Sequence, residues 1–202
     1  MTIAGLTPSQ EIMLTETGAL LKGHFILASG RRSEFYFQCA LLCQHPNIMD
    51  AICRELVTRI PRVGEVETVV SPAIGGIAFG QELARSVGAR AIFAEKVDGG
   101  AMALRRGFAL RPGEKVLLVE DVTTTGGSVA KVGELARQAG AEILGYVTIV
   151  DRSGGAFQPD APLTSWLQLH FPTFSEEETP ERLRNVPAIK PGSGAGGTGS
   201  GK

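Results

Sequence analysis

The chain has 202 residues, about right for one globular domain with a core of useful size. Its 43% apolar content is ordinary, no apolar run approaches the roughly 18 residues of a membrane span, and the start MTIAGLTPSQEIML lacks the marks of a secretory signal, so the expected location is the cytoplasm. A formal charge of −1 excludes the broad basic surface that grips duplex nucleic acid; an anionic partner would need a local site.

In chain order, Thr7-Pro8-Ser9-Gln10 reads as a helix start that continues to about residue 21 and stops at Gly23. Residues 24–27 and 34–38 read as two short strands joined by the turn Ser29-Gly30-Arg31-Arg32. Cys39, Cys43 and Cys53 are an odd number without a secretion signal, which argues for free thiols; Cys39, Cys43 and His45 fit no zinc spacing and lack a fourth ligand. Ile48, Ile52, Leu56 and Ile60 recur at helical spacing, predicting a helix over about 46–60.

From there the pattern becomes strand, loop, helix, strand, twice over. Thr68-Val69-Val70 leads through Ser71-Pro72-Ala73-Ile74-Gly75-Gly76 into a helix ended by Gly88, then the strand 91–94. The apolar run 116–119 reads as a strand covered on both faces, followed by a small-residue loop, a helix from about Ser128 to Gly140, and a strand over 144–150. Such alternation predicts an α/β domain with a mainly parallel sheet, in which ligands bind beyond the carboxyl ends of the strands. Three loops qualify: 71–76, 120–128 and Asp151-Arg152.

The stretch VLLVEDVTTTGGSV carries the most chemistry. A buried strand ends in two carboxylates, Glu120 and Asp121, and passes through Val122-Thr123-Thr124-Thr125-Gly126-Gly127-Ser128 into a helix. Small residues let a ligand approach the backbone, and amides and hydroxyls at a helix N-terminus bind anions, so the loop suits one phosphate. The two acids would repel that phosphate unless they face sugar hydroxyls or a divalent cation. No lysine follows Gly127, so this is neither the nucleotide-binding Gly-Lys-Ser/Thr loop nor the dinucleotide fingerprint.

VLLVEDVTTTGG resembles the motif by which type I phosphoribosyltransferases bind 5-phosphoribosyl 1-pyrophosphate (PRPP). Within that group, GALLKGHFILASGRRSEFYFQ, SPAIGGIAFG and VDRSGG resemble the orotate phosphoribosyltransferases. The resemblance implies a mainly parallel central sheet flanked by helices with a small N-terminal helix-plus-hairpin hood. It implies one domain over 1–190, with 1–45 contributing to the hood; the Gly/Ser-rich composition of 191–202 itself predicts a disordered tail. The implied activity is transfer of the phosphoribosyl group from PRPP to orotate, giving orotidine 5'-monophosphate and pyrophosphate in pyrimidine (UMP) biosynthesis. Magnesium would come mainly through PRPP rather than by direct side-chain ligands. A purine-salvage transferase and a non-catalytic PRPP-binding regulator are the alternatives.

By the same resemblance, Glu120 and Asp121 contact the ribose hydroxyls and residues 123–128 hold the 5-phosphate. Thr124 and Arg152 approach orotate, a planar anion suited to a guanidinium fork. Ser71 to Gly76 match the pyrophosphate segment, which read without the resemblance is a tight strand-to-helix turn. Lys96 matches a PRPP-binding lysine, with Glu95 departing from the arginine common beside it. Tyr36 and Phe37 match aromatics near the base, although aromatics in an alternating strand are otherwise core. The segment 97–108 resembles a shortened mobile catalytic loop, with Gly99-Gly100 as hinge and Arg105 and Arg106 facing the leaving pyrophosphate; without substrate it is an exposed hairpin. A homodimer in which this loop serves the neighbouring site is implied as well. Family lysines are replaced by Ala28, Gly75 and roughly Gly99, leaving Arg31, Arg32, Arg105 and Arg106 as substitute cations. The acidic run Glu176-Glu177-Glu178 and residues 182–190 read as solvated surface.

Overall fold

The computed structural model describes residues 6–27 and 29–191; Ala28 and the expected tail beyond residue 191 lie outside them. The elements are α1 (Pro8–Glu16), β1 (Leu20–Ile26), β2 (Arg32–Phe37), α2 (Cys39–Cys43), α3 (Pro46–Val57), β3 (Thr68–Pro72), α4 (Gly76–Val87), β4 (Arg90–Lys96), β5 (Met102–Leu104), β6 (Lys115–Thr123), α5 (Gly127–Gln138), β7 (Glu142–Asp151), β8 (Leu163–Gln168), β9 (Thr173–Phe174) and α6 (Glu181–Arg184). They gather into two compact units, residues 6–7 with 39–170 and residues 8–38 with 171–191.

The larger unit is built on a six-stranded sheet in the order β5-β4-β3-β6-β7-β8. All its neighbours pair in parallel except the edge strand β5, which turns back antiparallel on β4. The chain proceeds outward from β3 to β4 and then crosses back to β6 on the other side of β3. This reversal opens a crevice at the carboxyl ends of β3 and β6, where α/β sheets bind ligands.

The pleat of β6 divides the core. Val116 and Leu118 pack with Val129, Val132 and Ala136 of α5, whereas Leu117 and Val119 face the α4 side, where Phe79 and Leu83 are fully buried. Full burial of each such side chain contributes on the order of 2 kcal/mol. The run 116–119 has no exposure on either face, which accounts for its lack of polar alternation.

At the amino ends of the strands the sheet is tied by Glu114, whose side chain is wholly buried. Its carboxylate accepts from Thr68 Oγ1 at 2.5 Å, Arg90 Nη2 at 2.7 Å and the Arg111 amide at 2.8 Å. Burial alone would push this carboxyl up; the hydrogen bonds from Thr68, Arg90 and the Arg111 amide outweigh it and hold the group down at about 2. One acid thereby joins β3, β4 and the segment entering β6.

The smaller unit is an antiparallel sheet in the order β1-β2-β9. The helix expected to run to about residue 21 ends at Glu16, because the chain turns at Gly18 (φ 71°) and Leu20 already pairs with Phe37. The hairpin strands are correspondingly longer than expected. The C-terminal segment returns to this hairpin: Phe174 pairs with Arg32, Arg182 bridges to Glu34 at 2.8 Å, and Ile189 exchanges backbone hydrogen bonds with His24 and Ile26. Residues 176–178 and 182–190 are exposed, as expected, apart from the buried Leu183, and the exposed Glu176 pairs with Arg32 at 2.7 Å. In addition, β8 and β9 were not anticipated by the hydropathy pattern.

Replacing Glu114 by alanine is expected to cost about 3 kcal/mol, since it removes a buried, multiply bonded anion. Thermal unfolding should show the midpoint falling by roughly 5–10 °C; an unchanged midpoint would show that the network adds nothing.

Candidate active site at the carboxyl ends of β3 and β6

The strand β6 continues to Thr123, so Glu120 and Asp121 are strand residues and their side chains leave opposite faces of the pleat. Glu120 emerges on the α5 side. There it lines a cavity of about 240 Å³ together with Lys96, the turn 124–126, Gly127, Ser128 and Lys131. Asp121 emerges on the α4 side, against the loop that follows β3: a Cβ added to Gly75 would lie 2.8 Å from Asp121 Oδ2. The adjacent carboxylates are therefore divided, one to each loop. This separation resolves the repulsion that two acids beside one phosphate would create.

The loop entering α5 is shaped by Gly126, which caps the helix with φ 70°. A side chain is excluded there twice over, by that backbone conformation and by the Phe157 ring, 2.0 Å from where a Cβ would stand. First-turn amides of a helix have no carbonyl partner within it, so they face the cavity as anion donors. The Ser128 hydroxyl and the Val129 amide favour the ionised form of Glu120. Burial, and after it the nearby Asp121 charge, outweigh both and push the Glu120 carboxyl up to about 7. Burial likewise raises Asp121.

The loop 73–75 follows the fully buried strand β3, with the Ala73 amide bonded to Ala94 O at 2.8 Å and the peptide between Ala73 and Ile74 cis. Ser71 and Pro72 prove to be strand residues, and Gly76 starts α4, so only Ala73, Ile74 and Gly75 form the open turn. Ile74 is 85% exposed at its tip.

Lys96 reaches the cavity from the end of β4. Segment 97–108 is a short hairpin: Lys96 pairs with Met102 and Ala94 with Leu104, around a turn in which Gly99 and Gly100 both have φ 76°. Arg106 folds back to form an ion pair with Glu95 and lies over the Phe93 ring at 6.0 Å. The glutamate that departs from the family pattern thus has a partner within the same hairpin. Arg105 is exposed. Arg31 is bonded to Thr173 and Arg32 to Glu176 within the smaller unit.

Arg152 is half-buried and follows β7, with its amide donating to Thr123 O at 2.7 Å, so it stands next to the end of β6. Its turn is organised locally: Asp151 Oδ1 accepts from the Ser153 amide at 2.8 Å, and the Ser153 hydroxyl accepts from the Gly155 amide at 3.2 Å. Tyr36 and Phe37 belong to β2 of the smaller unit; Phe37 is buried, and the half-buried Tyr36 ring lies 5.7 Å from Phe25. Two site features escaped the sequence reading. Lys131, four residues beyond Gly127, points back toward the helix start, a direction the tilt of helical side chains makes readable. Phe157 has no such local signal.

A model of the phosphoribosyl transferase domain matches residues 42–181, and the crevice, the divided acids and the glycine-capped helix place the chain in that class. Orotate phosphoribosyltransferases resemble it over nearly the whole length. That of Pelotomaculum thermopropionicum is 47% identical over 178 residues, 88% of this chain and 93% of the relative. That of Chlorobium phaeobacteroides is 48% identical over 179 residues, 89% of this chain and 92% of the relative. The crystal structure of orotate phosphoribosyltransferase from Aeropyrum pernix superimposes with a TM-score of 0.66 at 27% identity, covering 78% of this chain and 92% of that one. The chain belongs to the orotate phosphoribosyltransferase family.

Because the Glu120 carboxyl is raised to about 7 in the folded protein, it favours the fold when protonated. That contribution is complete below the ordinary carboxylate range and is lost as pH rises through about 7. Ligand-free protein should therefore lose thermal stability relative to Glu120→Gln between pH 5 and pH 8. A difference in midpoint that stays constant over that range would contradict the buried, raised state of Glu120.

Proposed function

We infer that the chain transfers the phosphoribosyl group of PRPP to orotate, forming orotidine 5'-monophosphate and pyrophosphate, as a pentosyltransferase of pyrimidine biosynthesis. The observation that carries this reading is the division of Glu120 and Asp121 between two backbone-lined loops. PRPP has a phosphate at one end, a diol in the middle and a pyrophosphate at the other, and the crevice offers groups in the same order.

In this reading the amides and hydroxyls of 124–128 hold the 5-phosphate, and Glu120 and Asp121, when ionised, accept from the ribose hydroxyls. The turn 73–75 receives pyrophosphate and Lys96 adds positive charge. Arg152 and Thr124 engage orotate, whose ring nitrogen attacks the anomeric carbon as the bond to pyrophosphate breaks. The attacking ring nitrogen is conjugated with a carbonyl and the ring double bond, so its N–H is acidic and its proton can pass to water, and placement and electrostatic stabilisation outweigh any need for a strong base. Orientation by the Arg152 fork fixes which ring nitrogen faces the ribose.

Magnesium is proposed to arrive with PRPP and would neutralise charge on the departing pyrophosphate. Among the described residues no group of three His, Cys, Asp or Glu side chains is placed to hold a metal. Glu120 and Asp121 are hard oxygen donors that suit a cation carried in by substrate. We also propose that two copies pair, with the exposed Arg105 of segment 97–108 serving the neighbouring site. Among the described residues no helix is long and apolar enough to cross a membrane; we propose that the enzyme works in the cytoplasm.

The direct test is to incubate the protein with PRPP, magnesium and orotate, and separately with adenine, guanine and hypoxanthine. Orotidine 5'-monophosphate and pyrophosphate should form in equal amounts, with no purine nucleotide. Failure of orotate, or turnover of a purine in its place, removes the reading. Within the active enzyme, Arg152→Ala should raise the KM for orotate by more than about tenfold while changing that for PRPP far less. Equal effects on both substrates would remove Arg152 from the base site.

A further inference from the structure

The cavity at the start of α5 has two lysines on its wall, and only Lys96 was foreseen. Lys131 approaches from the helix itself, its ammonium donating to Gly100 O at 2.6 Å. Gly100 sits between both side chains: a Cβ added there would be 3.7 Å from Lys131 Nζ and 3.8 Å from Lys96 Cε. The backbone of the 98–100 turn is therefore part of the same wall as the two cations. Of the arginines considered as substitutes for the family lysines, Arg31 and Arg32 are bonded within the smaller unit and Arg106 to Glu95, while Arg105 is exposed.

An ammonium has three N–H donors, and the Gly100 carbonyl uses one. The remaining donors belong to a group that borders the phosphate cavity, on a helix whose first-turn amides already favour an anion. We propose that Lys131 is a substrate-binding residue of this chain: it contacts the phosphate held by residues 124–128 while keeping its bond to Gly100, so that occupancy of the cradle fixes the 98–100 turn over it. This rests on the reading of the cavity as the phosphate end of the PRPP site. It adds a positive charge from α5, and it gives a means by which bound phosphate positions the hairpin that begins at Lys96. The Gly100 carbonyl and the bound phosphate then share one cation, so the turn and the ligand reinforce each other's placement.

A lysine that merely stapled the turn would act through the carbonyl bond alone. Glutamine separates the two roles, since its amide still donates to a carbonyl but has no charge. Lys131→Gln and Lys131→Met should both weaken binding of ribose 5-phosphate, and raise the KM for PRPP, by about tenfold, with the KM for orotate and kcat much less affected. Lys131→Arg should recover most of the loss. Hydrogen exchange at residues 98–104 should slow on adding PRPP to the native chain, and the slowing should be lost in the Met variant. If Lys131→Gln binds ribose 5-phosphate and PRPP like the native protein, Lys131 is a staple and the proposal falls. Absence of orotidine 5'-monophosphate formation by the native chain would instead overturn the functional reading, and the two failures are distinguished by that control.

Discussion

Successive side chains of a β-strand leave opposite faces, and at the end of β6 this rule decides the chemistry. Val116 and Leu118 face α5 while Leu117 and Val119 face α4, so continuing the alternation by two residues sends Glu120 to the cavity at the start of α5 and Asp121 to Gly75. Had both acids shared a face, either loop would carry two negative charges and lose its affinity for an anion. The apolar packing of the strand and the polarity of the site are thus set by one periodicity. A one-residue slip of β6 against β3 would exchange the acids and destroy both.

The opposite end of the sheet shows how that register is held. Glu114 joins β3, β4 and the approach to β6 through Thr68, Arg90 and the Arg111 amide. It is far along the strands from the crevice, with four apolar β6 residues between it and Glu120. The two buried acids differ in state for a clear reason. Glu114 has several donors and stays ionised, whereas burial outweighs the two groups that favour ionised Glu120 and leaves it poised near 7. Glu114 is satisfied within the protein, whereas Glu120 is not and keeps acceptor capacity toward the cavity, as the proposed contact with sugar hydroxyls requires.

Much of this was legible in the residues. The run 116–119 announced a doubly covered strand, the small residues after it announced an anion loop, and the alternation of elements announced the parallel sheet. What escaped was pairing across long sequence separation. Strand β9 is two residues long and exists through Arg32 and Ser33, about 140 positions earlier; nothing local marks it. The strand β8, with Leu163, Trp166 and Leu167 among polar residues, follows a loop whose direction the sequence leaves open. Helix α1 was drawn too long because apolar residues 19–21 suit a helix as readily as a strand, and pairing with β2 decided the matter. The second lysine of the cavity was visible as a residue but not as a neighbour of Gly100, since that contact joins an edge hairpin to a helix.

Phe157 ties the chain after Arg152 to the start of α5. Its ring lies over Gly126 and meets Tyr146 edge-on at 5.7 Å, while only four residues of chain separate it from Arg152. The chain that leaves Arg152 is consequently held against the cap of α5 by one aromatic ring. Enlarging the side chain at position 157 would press on Gly126 and on Tyr146 at once.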